Sequence, residues 1–249
     1  MPDPDLPDPF RWEGEHVTAE LPGARVLFSS RRGGVSEGPF ASLNLGRLTA
    51  DDGANVDANR ERLAEAVGHP RERFLYGRQV HGADVRRATE PPGAARPAAD
   101  EDGQATTLGD APALVFVADC LPVLLAAGDA VAALHCGWHG LRKGIVAEGV
   151  RALRELGAEG EIQAAIGPGA RPCCYEVWEE VQAAFADVPG ARVGERNLDL
   201  PGIARHRLAR AGVGTVHDTG LCTMCTDVFF SHRRDHGVTG RQAGVVWRA

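Results

Sequence analysis

LVFVADCLPVLLAAGDAVAALHCG, residues 114–137, is the stretch whose reading decides the fold. It holds three short apolar runs, Leu114 to Ala118, Val123 to Ala127 and Val131 to Leu134, broken by Asp119-Cys120-Leu121-Pro122 and by Gly128-Asp129. Short apolar runs bounded by turn residues predict strands, and consecutive ones predict a meander. Cys120 and His135 then stand at strand ends. Working outward, strands are predicted at Arg25 to Ser29, Phe74 to Val80, Ile162 to Ile166 and Gly244 to Trp247. Helical spacing of apolar residues predicts helices at Asn55 to Val67, Ile145 to Leu156, Val177 to Phe185 and Ile203 to Ala211, two of which stop at Gly157 and Gly212. This alternation is compatible with an α/β or an α+β domain spanning residues 1–249. The proline- and acid-rich start (residues 1–20) reads as irregular, and residues 90–104, rich in Pro, Ala, Gly and acid, read as a mobile surface loop.

Composition narrows the partners. A chain of 249 residues that is 43% hydrophobic and 24% charged can bury a substantial core. Its net charge of -7 argues against nucleic acid, which selects a basic face, and favours a small molecule. There is no signal-peptide pattern and no apolar run approaching the roughly 18 residues of a membrane span, so a cytoplasmic protein without membrane contact is expected. Six cysteines in such a chain read as thiols and ligands rather than a disulfide framework, and the adjacent Cys173 and Cys174 do not easily bridge each other. Nothing in the sequence sets the oligomeric state.

His81, in Gln79-Val80-His81-Gly82, joins Cys120 and His135 as a third residue in a glycine- or proline-marked segment at the end of a predicted strand. Side chains at strand ends project into a common crevice. Two imidazoles and one thiolate are the ligand types of an open zinc site, in which three protein ligands leave a position where water is acidified. The same residues read equally as hydrogen-bonded core histidines and a buried thiol; spacing alone leaves both open.

A resemblance bears on that choice. Phe28 to Ser36 (FSSRRGGVS), Ser42 to Gly46 (SLNLG), the block around His81 and Ala118 to Leu125 (ADCLPVLL) resemble the YfiH-type, or laccase-domain, family of purine nucleoside phosphorylases. So do His135-Cys136-Gly137-Trp138-His139-Gly140, Ile166-Gly167-Pro168 with Cys173-Cys174-Tyr175-Glu176-Val177, Leu198-Asp199-Leu200, Cys222-Thr223 with Phe229-Phe230-Ser231, and Thr239-Gly240-Arg241-Gln242, in the family's order. The likeness runs from about Phe28 to Trp247. It implies an α+β fold of mixed sheets packed between helices, and zinc on His81, Cys120 and His135, with copper an adventitious occupant. It also implies phosphorolysis of adenosine, inosine and 5'-methylthioadenosine, with hydrolytic deamination of adenosine at the same site. Purine nucleosides and inorganic phosphate are thus the expected partners. Phosphate selects planar guanidinium groups, so Arg31, Arg60, Arg171 and Arg241 are candidates, each alternatively a solvated surface charge. Asn44 is a candidate for reading base or ribose, or a turn-forming residue. Asp119 and Asp102 are candidates for supporting the ligands or moving protons.

The chain departs from the family pattern at His139, which stands where arginine is usual, beside Cys136 in place of a small residue. A neutral imidazole holds phosphate weakly, so His139 is an impaired phosphate contact, an extra base or a fourth ligand. Two other readings use the same residues: a cysteine-nucleophile amidase or hydrolase acting on a cell-wall precursor, with Cys120 activated by His81 or His135, and a non-catalytic partner protein retaining the fold. Gly34-Val35-Ser36-Glu37-Gly38 matches a nucleophile elbow, but Pro39 and the turn residues after it do not open a helix. Cys222-x-x-Cys225 with His232 and His236 has zinc-finger ligand types at too short a spacing, so those cysteines are expected to stabilise a loop or core. The His-x-His pairs of a multicopper oxidase are absent.

Overall fold

The computed structural model describes residues 3–92 and 99–249. Among these, an antiparallel sheet holds β1 (Arg11–Glu13), β2 (His16–Leu21), β3 (Ala24–Phe28), β13 (Gln242–Arg248) and β6 (Ala113–Val117), in that order. A mixed sheet runs β12 (Thr215–Asp218), β9 (Gln163–Ile166), β7 (Leu121–Ala127), β8 (Ala130–Cys136), β5 (Gly103–Thr106), β4 (Val85–Ala88), with parallel pairs at both edges. A short ribbon pairs β10 (Arg192–Val193) with β11 (Asn197–Leu198). The helices are α1 (Gly53–Val67), α2 (Trp138–Lys143), α3 (Ile145–Glu155), α4 (Glu179–Ala183) and α5 (Leu200–Arg210).

The apolar character of residues 114–137 follows from burial on both faces, which removes the polar alternation of a solvated strand. From β7, Leu124 and Ala126 face the other sheet, meeting Val26, Phe28 and Val115, whereas Leu121, Val123 and Leu125 join the cluster under α3 and α5. On the far side α1 packs Leu63, Ala64 and Val67 against Leu27, Leu114 and Val245. The layers are helix, sheet, sheet, helix, an α+β arrangement of mixed sheets between helices. Full burial of each leucine contributes roughly 1.5–3 kcal/mol. Gly149 on α3 lets the helix settle on β8, because a Cβ there would meet Leu134 at 2.6 Å. No helix of the described residues is long and apolar enough to cross a membrane.

Three expectations need correction. Residues 1–20 are not irregular throughout: β1 and β2 extend the first sheet, with Phe10, Val17, Ala19 and Leu21 buried. The proline-rich start masked that alternation. Residues 90–104 are not a single loop, for Asp102 is buried and Gly103-Gln104 begin β5, between β4 and β8; residues 93–98 lie outside the described residues. Gly103 is there for closeness, since a Cβ would meet Leu134 and Val85 at 2.9 Å each. Residues 74–80 form no strand. This segment crosses from one sheet to the other and makes only isolated bridges, Leu75 with Ala113 and Arg78 with Asp100, while the Gln79 side chain pairs with the Phe116 amide and carbonyl.

Candidate active site

The hairpin β7–β8 sets the first half of the site. Its register places Pro122 opposite His135 and Leu121 opposite Cys136, so Cys120, just ahead of β7, and His135, near the end of β8, meet at one end of the sheet. His81 arrives on the crossing segment rather than on a strand. The ligand atoms of His81, Cys120 and His135 all lie within 4.8 Å of one another, an arrangement able to hold a metal ion.

Two carboxylates maintain this convergence. His81 has φ 56° and Asp119, which precedes Cys120, has φ 85°, left-handed conformations that a non-glycine residue keeps only when its surroundings impose them. Asp102 accepts the amides of Val80 (3.0 Å), His81 (2.9 Å) and Gly82 (2.7 Å), fixing the first. Its Oδ1 also lies 2.7 Å from His135 Nδ1. An ionised carboxylate only accepts, so Nδ1 carries a proton and Nε2 is the nitrogen that faces the cluster, available to a cation once any proton on it is displaced. Asp119 accepts from the Thr223 hydroxyl (2.6 Å) and the Arg233 amide (2.7 Å), fixing the second. Gly137 completes the fit: a Cβ there would meet Cys120 Sγ at 2.8 Å and His81 Cδ2 at 3.3 Å. Gly137→Ala should therefore displace the thiol, lowering metal affinity at this centre about tenfold. Chelator competition measures that loss, and an unchanged affinity would refute the close-contact argument.

The charges are coupled. Burial opposes ionisation of Asp102, but His135 and the Gly82 and Val80 amides outweigh it and hold the carboxyl down to about 2. Burial likewise opposes the Cys120 thiolate, yet His135 and then His81 lower it to about 6. For His135 burial is overcome by Cys120 and Asp102, raising it to about 9. The ligand-free centre is thus a thiolate–imidazolium pair leaning on Asp102, and a cation would replace the proton.

A cavity of about 850 Å³ opens over the cluster. Tyr76, Phe116, Trp138 and Tyr175 contribute aromatic wall, while the buried Arg60 and the half-buried Arg241 contribute cations. Arg60 donates twice to the Leu45 carbonyl and once to Tyr76 Oη, and burial lowers it to about 10, still protonated at neutral pH. Arg241 uses Nη1 on the Thr239 and Gly240 carbonyls, leaving Nε and Nη2 without an acceptor among the described residues. Neither has a carboxylate partner there. His139 and Lys143 line the same cavity, with Lys143 Nζ on the His81 carbonyl at 3.0 Å.

A family model described as multi-copper polyphenol oxidoreductase laccase matches residues 25–249. A purine nucleoside phosphorylase of Corynebacterium glutamicum is 39% identical over 231 residues, covering 90% of this chain and 94% of the relative. One from Streptomyces griseus is 40% identical over 242 residues, covering 94% and 98%. The chain belongs to this laccase-domain family. Solved structures agree: YlmD of Geobacillus stearothermophilus superposes with TM-score 0.89 at 35% identity over 97% of this chain and 99% of its own. The hypothetical protein YfiH of Bacillus licheniformis gives 0.91 at 28%, covering 97% and 100%. Despite the family's copper-oxidase description, no histidine-rich cluster suited to several copper ions accompanies the His81–Cys120–His135 group among the described residues.

Within this laccase-domain protein the remaining candidates separate cleanly. Arg31 does not line the cavity: Nε donates to the Ala41 carbonyl at 2.6 Å and the guanidinium lies over Phe230. Arg171 is likewise elsewhere, tied to the Leu221 carbonyl and to Asp218. Asn44 is fully buried and builds a loop, donating to Thr49 and Asp51 and accepting the amides of Gly46 and Arg241. Asp119 lines the cavity floor, and Asp102 stands behind His135. His139 is outside the converging ligands, its ring centroid 6.3 Å from that of His81. Burial, then His81, Lys143 and Arg142, lower its pKa, disfavouring the imidazolium. Tyr175, Trp138, Lys143 and Arg233 also line the cavity; Trp138 and Tyr175 stand within the motif blocks, whereas Lys143 and Arg233 carry no sequence signal and are brought there by packing.

Proposed function

We propose that this protein is a zinc-dependent purine nucleoside phosphorylase acting on adenosine, inosine and 5'-methylthioadenosine, and that the same centre deaminates adenosine. The observation that carries the reading is the convergence of His81, Cys120 and His135 at the base of a cavity walled by aromatic rings and by two arginines free of carboxylate partners among the described residues. The relatives' names support the reaction class.

The donor set fits zinc, which accepts two imidazoles and a thiolate and leaves a position open. When bound it supplies a Lewis acid that acidifies water or polarises a substrate atom. The chain's own residues do the rest. Tyr76, Phe116, Trp138 and Tyr175 offer ring faces to the purine, and Arg60 and Arg241 hold phosphate below the ribose. A phosphate oxygen forms the new bond to C1' as the C1'–N9 bond breaks. The electron pair leaves with the base, which takes up a proton; His139, His232 and Tyr175 face the cavity as groups able to move it.

The test is adenosine turnover with and without phosphate. Adenine and ribose 1-phosphate should form only with phosphate, inosine should form without it, and a chelator should abolish both; turnover that survives metal removal overturns the zinc reading. His139→Arg adds a fixed charge to the cavity lining and should raise phosphorolysis about tenfold, the scale of one charged hydrogen bond, with metal content unchanged. Loss of zinc on that substitution would instead make His139 a ligand.

One observation favours a second reading, a cysteine-nucleophile amidase or hydrolase: Asp102, His135 and Cys120 form a chain of carboxylate, imidazole and depressed thiol. Metal-free protein that is fully active and is inactivated by alkylation at Cys120 would establish it.

A further inference from the structure

Beyond the active site, the chain brings four more thiols together. The parallel pair β9–β12 aligns Ile166 with Asp218, and both segments run on side by side past the strand ends. Gly169 bridges Cys222, the Gly169 amide donates to Leu221, and the Thr223 amide donates back to Gly169. The chain after Gly169 then turns at Cys173-Cys174, and the chain after Cys222 turns at Met224-Cys225. The four Sγ atoms of Cys173, Cys174, Cys222 and Cys225 lie within 4.8 Å of one another, and all four cysteines are free. Cys174 Sγ is 2.9 Å and Cys173 Sγ 3.5 Å from Cys225 Sγ.

We propose that Cys173, Cys174, Cys222 and Cys225 form a closed tetrathiolate site for a structural zinc ion, separate from the His81–Cys120–His135 centre. A tetrahedral zinc with Zn–S of about 2.3 Å sets its sulfurs about 3.8 Å apart, the scale of this cluster. Four sulfurs and no vacant position make a structural rather than a catalytic centre, and sulfur ligands of this number select zinc or iron. Cys173 and Cys225 are exposed, and an exposed pair of thiols this close is an oxidation liability that a bound ion removes. The partners of Cys222-x-x-Cys225 are thus the adjacent cysteines about fifty residues upstream in sequence, not His232 or His236.

The site braces the cavity wall. Tyr175 follows Cys174 directly, and Arg233, from the same chain segment as Cys222 and Cys225, lies over the Tyr175 ring at 5.1 Å and donates to the Glu176 carbonyl. Arg171 and Asp218 tie the same two segments, which is what occupies Arg171. An ion at the four cysteines would hold Tyr175 and Arg233 against the substrate from outside the reacting centre.

The experiment is zinc stoichiometry on the whole chain, purified under reducing conditions without chelator, by elemental analysis and native mass spectrometry. Wild type should carry two zinc ions per chain, Cys120→Ala one, and the Cys173→Ser/Cys225→Ser double variant one. The ion left in Cys120→Ala should be released by a thiol-specific mercurial. The double variant should lose thermal stability and show a KM raised more than kcat is lowered. Should it fail to fold, Cys120→Ala alone decides, because that variant leaves the four cysteines intact. Cys120→Ala protein that is zinc-free, or whose intact mass shows a Cys174–Cys225 disulfide after reducing purification, overturns the site. Because the count is made without turnover, it stands or falls apart from the assignment of the reaction.

Discussion

Cys120→Ala should lower adenosine phosphorolysis at least about a thousandfold, a loss of about 4 kcal/mol in transition-state stabilisation, and should empty the His81–Cys120–His135 centre of metal. Three groups converge there, and the thiolate is the one that carries formal charge. Without it two neutral imidazoles face a dication, and His135 loses the partner that, with Asp102, raises it to about 9. The fold should survive. Cys120 is only partly buried and sits in a turn whose shape is set by Asp119 with Thr223 and Arg233, so removing one sulfur costs about 1 kcal/mol, or about 2–4 °C in melting temperature. The comparison is with metal-free wild type, because bound metal stabilises the native state by mass action. Adenine release by chromatography, metal content and a thermal melt measure the three quantities together. Metal-free Cys120→Ala that turns over adenosine at the wild-type rate would sink the metal reading of the site.

What could be read from the sequence divides along physical lines. Residues 114–137 were legible because strands buried on both faces need uninterrupted apolar residues, and the hairpin they form carries Cys120 and His135 to one end. β4 (VRRA), β5 (GQAT) and β12 (TVHD) were not legible: they are short, polar or small, and owe their extended form to neighbouring strands rather than to their own pattern. His81 was singled out by its glycine-marked segment, but the strand assigned to it does not exist; the crossing segment is held by the Gln79 side chain and by Asp102 instead. Four arginines looked alike in sequence. Only the carbonyls and rings they meet distinguish Arg60 and Arg241, on the cavity, from Arg31 and Arg171, which brace loops. The cysteines gave the same difficulty: the spacing to His232 and His236 is too short for a zinc finger and leaves Cys222 and Cys225 as loop or core thiols, whereas the parallel pair β9–β12 brings Cys173 and Cys174 to them.

Both halves of the proposed metal centre therefore depend on residues that do not touch the cavity's contents. The hairpin positions Cys120 and His135 through backbone register, which is rigid because β7 and β8 are central in their sheet. His81 has no such strand behind it. Beyond the Gln79 pairing, the turn at His81 has its three amides held by one carboxylate reaching from the residue before β5, and the same carboxylate orients His135. The most vulnerable joint in the site is thus Asp102, a residue with no place among the ligands.

Asp102→Asn should accordingly combine a large stability loss with a large loss of metal, although it changes one oxygen to nitrogen. Oδ1 of the carboxylate receives the His81 amide and His135 Nδ1, and Oδ2 receives the amides of Val80 and Gly82. An asparagine has one acceptor oxygen, so its NH2 must face one of these pairs of donors. If it faces Val80 and Gly82, the left-handed turn at His81 loses its anchor. If it faces His81 and His135, the imidazole shifts its proton to Nε2 and turns a donor, not a lone pair, toward the other ligands. Each orphaned buried donor costs roughly 1–3 kcal/mol, so the variant should lose roughly 2–6 kcal/mol of stability. Its melting temperature should fall by roughly 5–20 °C. Metal affinity at this centre should fall about 10- to 100-fold, the range for a group that orients a histidine ligand. Activity at saturating metal should recover in part, which separates loss of orientation from loss of a reacting group. A variant that melts with wild type and binds metal with wild-type affinity would show that the backbone around His81 holds its shape without the carboxylate, and would return Asp102 to the status of an ordinary buried acid.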